Sequence, residues 1–210
     1  MTADNKSPRT DQDWAVDVSG YHVDLPIVAV NPDFAIALMM IIDMGVKFGE
    51  HVGRKLAAKL APTRPDIVVG AATLGIPIAM EVTRALDLDQ YVILQKSPKI
   101  HLVDAMRQRV SSITSKGEQQ LLLDRAAVPL LQGKRVVVVD DVVASGSSLR
   151  GSIELVRSAG GQVVGVGVAL TEAREWQETL AEDCSLIHSL AHIPQFSRNA
   201  DCRWEPIPGT

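Results

Sequence analysis

The stretch RVVVVDDVVASGSSLRG, Arg135 to Gly151, decides the fold and most of the chemistry. Successive valines suit a strand covered on both faces, as in the middle of a parallel sheet. That strand runs into Asp140 and Asp141, two adjacent carboxylates that repel one another and so imply a shared task. Behind them Ala144, Ser145, Gly146, Ser147 and Ser148 make a turn of small residues into a helical run, with Ser147 or Ser148 the expected cap. Inward-facing amides at a helix start form a phosphate cradle. Carboxylates cannot share that anion; they take hydroxyl donors or a metal cation. A ribose 5-phosphate meets both demands, its hydroxyls on Asp140 and Asp141 and its phosphate on residues 144 to 148. The stretch lacks the lysine of a P-loop and the three spaced glycines of a dinucleotide site, which argues against both.

Outward from this stretch, DIVVG (66–70), QYVIL (90–94) and QVVGVGVAL (162–170) read as further buried strands separated by helical runs. The pattern predicts an α/β fold, an open, twisted, mostly parallel sheet with helices on both faces. Ligands of such sheets bind beyond the carboxyl ends of the strands. Two more loops gather there: Ala71, Ala72, Thr73, Leu74 and Gly75, whose backbone can approach an anion closely, and a loop carrying Lys96 and Lys99. The segment from 97 to 134 is too long for a plain connection and predicts a flexible hood with a hairpin over about residues 97–125.

Upstream, a helix is expected from Phe34 to about Leu60, with Asp33 as its cap and Asp43, Lys47, Glu50 and Arg54 as its polar stripe. Before Asp43 it is apolar all round, which calls for cover on both sides, by its own domain alone or by its own domain with a second subunit in a homodimer. Residues 1–20 are expected to be a flexible segment, 21–196 the main domain and 197–210 a tail.

Across 210 residues the chain is 46% hydrophobic and 22% charged, with a net charge of -4. That balance argues against nucleic acid or an anionic membrane as partner. Its longest apolar run, FAIALMMII, is shorter than the ~20 residues that a bilayer takes. Two cysteines, with no CxxC and no secretory leader, suggest a reducing cytoplasm. His188 and His192 read as strand residues rather than metal ligands, and Trp14, Trp176 and Trp204 as packing residues.

VVVVDDVVASGSS resembles the phosphoribosyl-pyrophosphate signature of the type I phosphoribosyltransferases. VVGAATLGIP is similar to their pyrophosphate loop, QKSPK to the basic loop of the adenine and xanthine members, and SAGGQVVGVGVAL and SLAHIPQF to later strands of that purine branch. The resemblance implies a glycosyltransferase, a pentosyltransferase of purine salvage, moving the 5-phosphoribosyl group from phosphoribosyl pyrophosphate to a purine, adenine- or xanthine-like, with release of pyrophosphate. It places Asp140 and Asp141 on the ribose hydroxyls, residues 144 to 148 on the 5-phosphate, Lys96 and Lys99 on the leaving pyrophosphate, and Ala71, Ala72 and Thr73 against it through the backbone. Magnesium is implied on the pyrophosphate and sugar oxygens beside the acidic pair. The chain departs from the pattern where many adenine members carry arginine, having Thr73 or Leu74 and Gln95 instead; Arg107 or Arg109 could substitute. Ala144 replaces a second acidic base contact of hypoxanthine-guanine enzymes. Two marks of the xanthine branch are missing, an asparagine near Val28 and a lysine among Thr171, Glu172 and Ala173. The missing arginines motivate an alternative, a non-catalytic regulator that senses phosphoribosyl pyrophosphate.

Overall fold

The computed structural model describes residues 8–98, 102, 104–110 and 119–210. The predicted strands form a five-stranded, wholly parallel sheet ordered β10-β9-β8-β4-β5. These are β4 (Ile67–Ala71), β5 (Tyr91–Leu94), β8 (Arg135–Val143), β9 (Gln162–Glu172) and β10 (Ile187–Ile193). The valines of β8 alternate between two cores. Val137 and Val139 face one and Val136 and Val138 the other, which is why the run carries no polar face. Helices α1 (Val46–Leu60) and α2 (Gly75–Ala85) cover the first side, and α4 (Ser147–Ser158) covers the second. Phe48, Val52, Leu56 and Leu60 recur every four residues along α1 and are fully buried. Each such side chain contributes about 1.5–3 kcal/mol of burial free energy.

Chain ends expected to be loose instead build a second sheet. β1 (Arg9–Asp17), β2 (His22–Asn31), β3 (Phe34–Ala37), β11 (Gln195–Arg198) and β12 (Trp204–Pro206) pair antiparallel in the order β1-β2-β3-β11-β12. Its outer strands are tied by Gln12, whose amide accepts from the Trp204 N–H at 2.8 Å and donates to the Trp204 carbonyl at 3.3 Å. Thus residues 9–17 and 195–206 are ordered structure rather than flexible segment and tail. Residues 1–7 lie outside the described residues.

The helix expected from Phe34 is also corrected. Residues 34–37 form β3, residues 41–44 make a turn, and α1 begins only at Val46, after Gly45 with φ 84°. Ala35, Ala37, Met39 and Ile41 are buried, while Met40 and Ile42 are 36% and 53% exposed. A ribbon with apolar residues on both faces has the same composition as a helix that is apolar all round. Asp33 caps nothing; it sits in the β2–β3 turn, its N–H donating to Asn31 Oδ1.

A hairpin does occur within the long insertion, β6 (Met106–Val110) with β7 (Gln119–Leu123). It docks on α4 at Gly151, where a Cβ would lie 2.7 Å from Val110 Cγ2. A short helix, α3 (Val128–Leu131), then leads into β8.

Candidate active site

Three loops meet at the carboxyl edge of the parallel sheet, as the strand ends predict. The acidic pair lies within β8, Asp141 9% exposed and Asp140 partly buried. The Asp141 N–H donates to Asp140 Oδ1 at 3.1 Å. Burial first, and then the neighbouring charge of Asp141, push the Asp140 carboxyl from 3.8 up to about 8, although Lys96 pulls the other way. Burial also raises Asp141. Such a pair calls for hydroxyl donors or a cation to relieve it.

Directly after the pair the chain turns at Gly146, which starts α4 in the left-handed conformation at φ 79°. Gly146, not a serine, is therefore the first capping residue, and having no side chain it leaves the helix amides to an anion. Ser145 and Ser147 shape the turn, the Ser145 hydroxyl donating to Ser147 Oγ at 3.3 Å and accepting from the Ser147 N–H at 3.4 Å. Behind Gly146 stands α5 (Glu175–Leu180): a Cβ at Gly146 would lie 3.1 Å from Trp176 Cα. Asp140, Val142, Val143, Ala144, Ser145, Gly146, Ser148 and Leu149 line one cavity of about 170 Å³. Carboxylate and cradle thus open into the same space.

The other two loops border it. Ala71 ends β4, the Ala72–Thr73 peptide is cis, and α2 starts at Gly75, where a Cβ would lie 3.1 Å from Asp140 Oδ1. The Ala72 N–H donates to the Leu94 carbonyl at 2.8 Å, fastening this loop to β5. Gln95 exchanges both backbone hydrogen bonds with Leu122 of β7, at 2.9 and 2.8 Å, so the hairpin holds the start of the basic loop. Lys96 follows it, exposed yet near enough to lower both acidic carboxyls. Lys99 lies outside the described residues. Arg107 and Arg109 are exposed on β6.

Sequence reasoning missed two features. Gly75 reads in the sequence only as part of a loop approaching an anion, but it backs the Asp140 carboxylate. Glu172 closes the largely apolar β9 and is 7% exposed; a charge ending such a strand was the available signal. His188 and His192 both lie on β10, where four residues span about 13 Å, too far to share an ion. His192 Nδ1 instead meets the Thr171 hydroxyl at 3.0 Å. No helix among the described residues is long and apolar enough to cross a membrane.

A sequence profile of the phosphoribosyl transferase domain matches residues 47–198. Xanthine phosphoribosyltransferase 1 of Clostridium perfringens is 27% identical over 158 residues, covering 74% of this chain and 82% of its own. Orotate phosphoribosyltransferase of Caldanaerobacter subterraneus is 34% identical over 120 residues, 57% of this chain and 52% of its own. In three dimensions the chain is similar to adenine phosphoribosyltransferase from Thermoanaerobacter pseudethanolicus, with a TM-score of 0.64 at 22% identity, covering 75% of this chain and 88% of that one. The α/β architecture is thus shared with solved members of that fold.

Proposed function

Because the chain belongs to the phosphoribosyl transferase family, and is by that membership a pentosyltransferase, we propose that it transfers the 5-phosphoribosyl group from phosphoribosyl pyrophosphate to a purine base, acting in the cytoplasm as a homodimer. The observation that carries this reading is the single cavity shared by Asp140 and the loop from Ala144 to Ser148. Asp140 and Asp141 accept hydrogen bonds from the ribose 2- and 3-hydroxyls, and the α4 amides and loop serines take the 5-phosphate. Ala71, Ala72 and Thr73 lie against the pyrophosphate through the backbone, with Lys96 and Lys99 neutralising it as it departs.

The acidic pair fits magnesium. Hard carboxylate oxygens suit a small hard cation, which Asp140 and Asp141 would help to hold together with substrate oxygens and water. When bound, the ion stabilises charge on the pyrophosphate. The rest falls to the protein. As the C1–oxygen bond to pyrophosphate breaks, positive charge grows on the ribosyl ring; a base nitrogen forms the new bond from the opposite face and gives up its proton. Carboxylates beside the ring stabilise that charge, and the fixed loops hold both ends of the sugar.

Incubation with magnesium, phosphoribosyl pyrophosphate and each of adenine, xanthine, hypoxanthine, guanine and orotate tests the proposal. Pyrophosphate release with at least one purine is expected. Release with orotate alone, or with no base, overturns it.

A further inference from the structure

Trp176 sits in the first turn of α5, a helix of six residues, EWQETL. That is far short of the roughly 12–15 residues at which a helix begins to hold itself in water. Two alanines with positive φ bracket it, Ala173 at 48° and Ala181 at 38°. A residue with a Cβ adopts such a backbone only where its surroundings impose it. A helix too short to stand alone, entered and left through unfavourable backbone, is therefore held in place by its contacts.

Those contacts lie on two sides. On one, Trp176 and Leu180 pack in the core on the α4 side of the parallel sheet, Leu180 being 3% exposed. The indole N–H of Trp176 donates to the Ala173 carbonyl at 3.2 Å, and the Ala173 N–H donates to the Ile193 carbonyl at 3.1 Å, so the helix is moored to the end of the sheet. On the other side α5 meets Gly146. A Cβ there would lie 3.1 Å from Trp176 Cα and 3.2 Å from both Trp176 Cβ and Thr179 Cβ, so loop and helix are in backbone contact.

Gly146 also lines the cavity that Asp140 shares, which places the loop between that cavity and α5. Little within the loop fixes its shape. No described side chain caps α4, and the two hydrogen bonds between Ser145 and Ser147, at 3.3 and 3.4 Å, are long for their kind. The support comes from behind, where Trp176 stands.

We propose that Trp176 is a positioning residue for the 5-phosphate: it anchors α5 against Gly146 and so keeps the loop from Ala144 to Ser148 in the shape that takes the anion. The inference rests on the phosphoribosyl-transfer reading and adds to it a residue that acts through the loop rather than on the substrate. A preformed cradle binds without first ordering itself. If the wall behind it gives way, the competent shape is populated only part of the time, and the apparent dissociation constant rises by the inverse of that fraction. The loss falls on ligands that carry the sugar phosphate. Pyrophosphate with magnesium, whose proposed partners lie in the loops after β4 and β5, is spared.

Calorimetric titration of ribose 5-phosphate and, separately, of pyrophosphate with magnesium into the wild type, Trp176→Ala and Trp176→Phe is the test, with tryptophan emission followed in parallel. Trp176→Ala binds ribose 5-phosphate at least about 10-fold more weakly than the wild type, as a cradle competent roughly a tenth of the time would, and binds pyrophosphate as the wild type does. Trp176→Phe, which keeps a ring in the core, recovers most of the affinity. Ribose 5-phosphate changes the emission of the wild type but not of Trp176→Phe, because the other two tryptophans, Trp14 and Trp204, belong to the second sheet. Equal affinity of the wild type and Trp176→Ala for ribose 5-phosphate, or an equal loss for both ligands, overturns the inference and leaves the sugar-phosphate site standing. Failure of the wild type to bind ribose 5-phosphate overturns both. If Trp176→Ala does not fold, the emission decides: a wild-type signal unmoved by ribose 5-phosphate, or one that moves as much in Trp176→Phe, overturns the inference.

Discussion

Asp140 carries the largest electrostatic tension among the described residues. Its carboxyl titrates near 8 rather than near 3.8, because burial and then Asp141 oppose its ionisation. Between those two values the folded protein holds a proton that the unfolded chain releases, so stability falls as pH rises through that window. The ligand-free protein is therefore expected to melt at a lower temperature at pH 8 than at pH 6, by roughly 2–4 °C for each kcal/mol lost. Asp140→Asn removes the titrating group and should flatten that difference; the same pH dependence in the variant would contradict the assignment. Sugar hydroxyls or a cation favour the ionised pair, so ligand binding near neutral pH releases protons. The need for two carboxylates was legible in the sequence, since a single helix cap explains only one. The proton they retain was not, because it depends on burial beside the start of α2, which outweighs the opposing pull of Lys96 from another loop.

Among elements, α4 joins the loop from Ala144 to Ser148 at its first turn to the hairpin on its flank. Glycine inside a helix is unfavourable by about 1 kcal/mol relative to alanine. Gly151 is there because β6 approaches to where a Cβ would be 2.7 Å from Val110 Cγ2 and 3.4 Å from Leu121 Cδ1. Gln108 adds a hydrogen bond to Glu154 at 2.7 Å. Gly151→Leu should undock the hairpin at a cost of about 1–3 kcal/mol, seen as faster amide exchange over residues 106–110 and 119–123 than in β8. Unchanged exchange there would show that the glycine does not govern docking. Because the same hairpin holds Gln95, this variant should also weaken the placement of Lys96. A hairpin was legible from the length of the insertion. Its docking partner was not, since Gly151 reads locally as a poor helix residue and nothing more.

At the scale of the whole molecule, the parallel sheet was legible because each strand is a continuous apolar run that only two-sided cover explains. The antiparallel sheet was not, because it joins residues 9–37 to residues 195–206, and pairings so distant leave no local period. The segment from 34 to 42, a short strand running into a turn, misled for a related reason: Ala35, Ala37, Met39 and Ile41 pack into the core, while Met40 and Ile42, with Val46 nearby, are exposed. Those exposed side chains, rather than a greasy helix, are the apolar surface of this region. Across the molecule the proposed function rests on one arrangement, in which the carboxylate pair and the amide-lined loop would divide a sugar phosphate between them. Turnover by Asp140→Asn with Asp141→Asn tests that arrangement most directly. Losing two charge-assisted hydrogen bonds predicts a fall of at least about 100-fold, with the melting temperature no lower than that of the wild type; turnover at the wild-type rate by the folded double variant would contradict it.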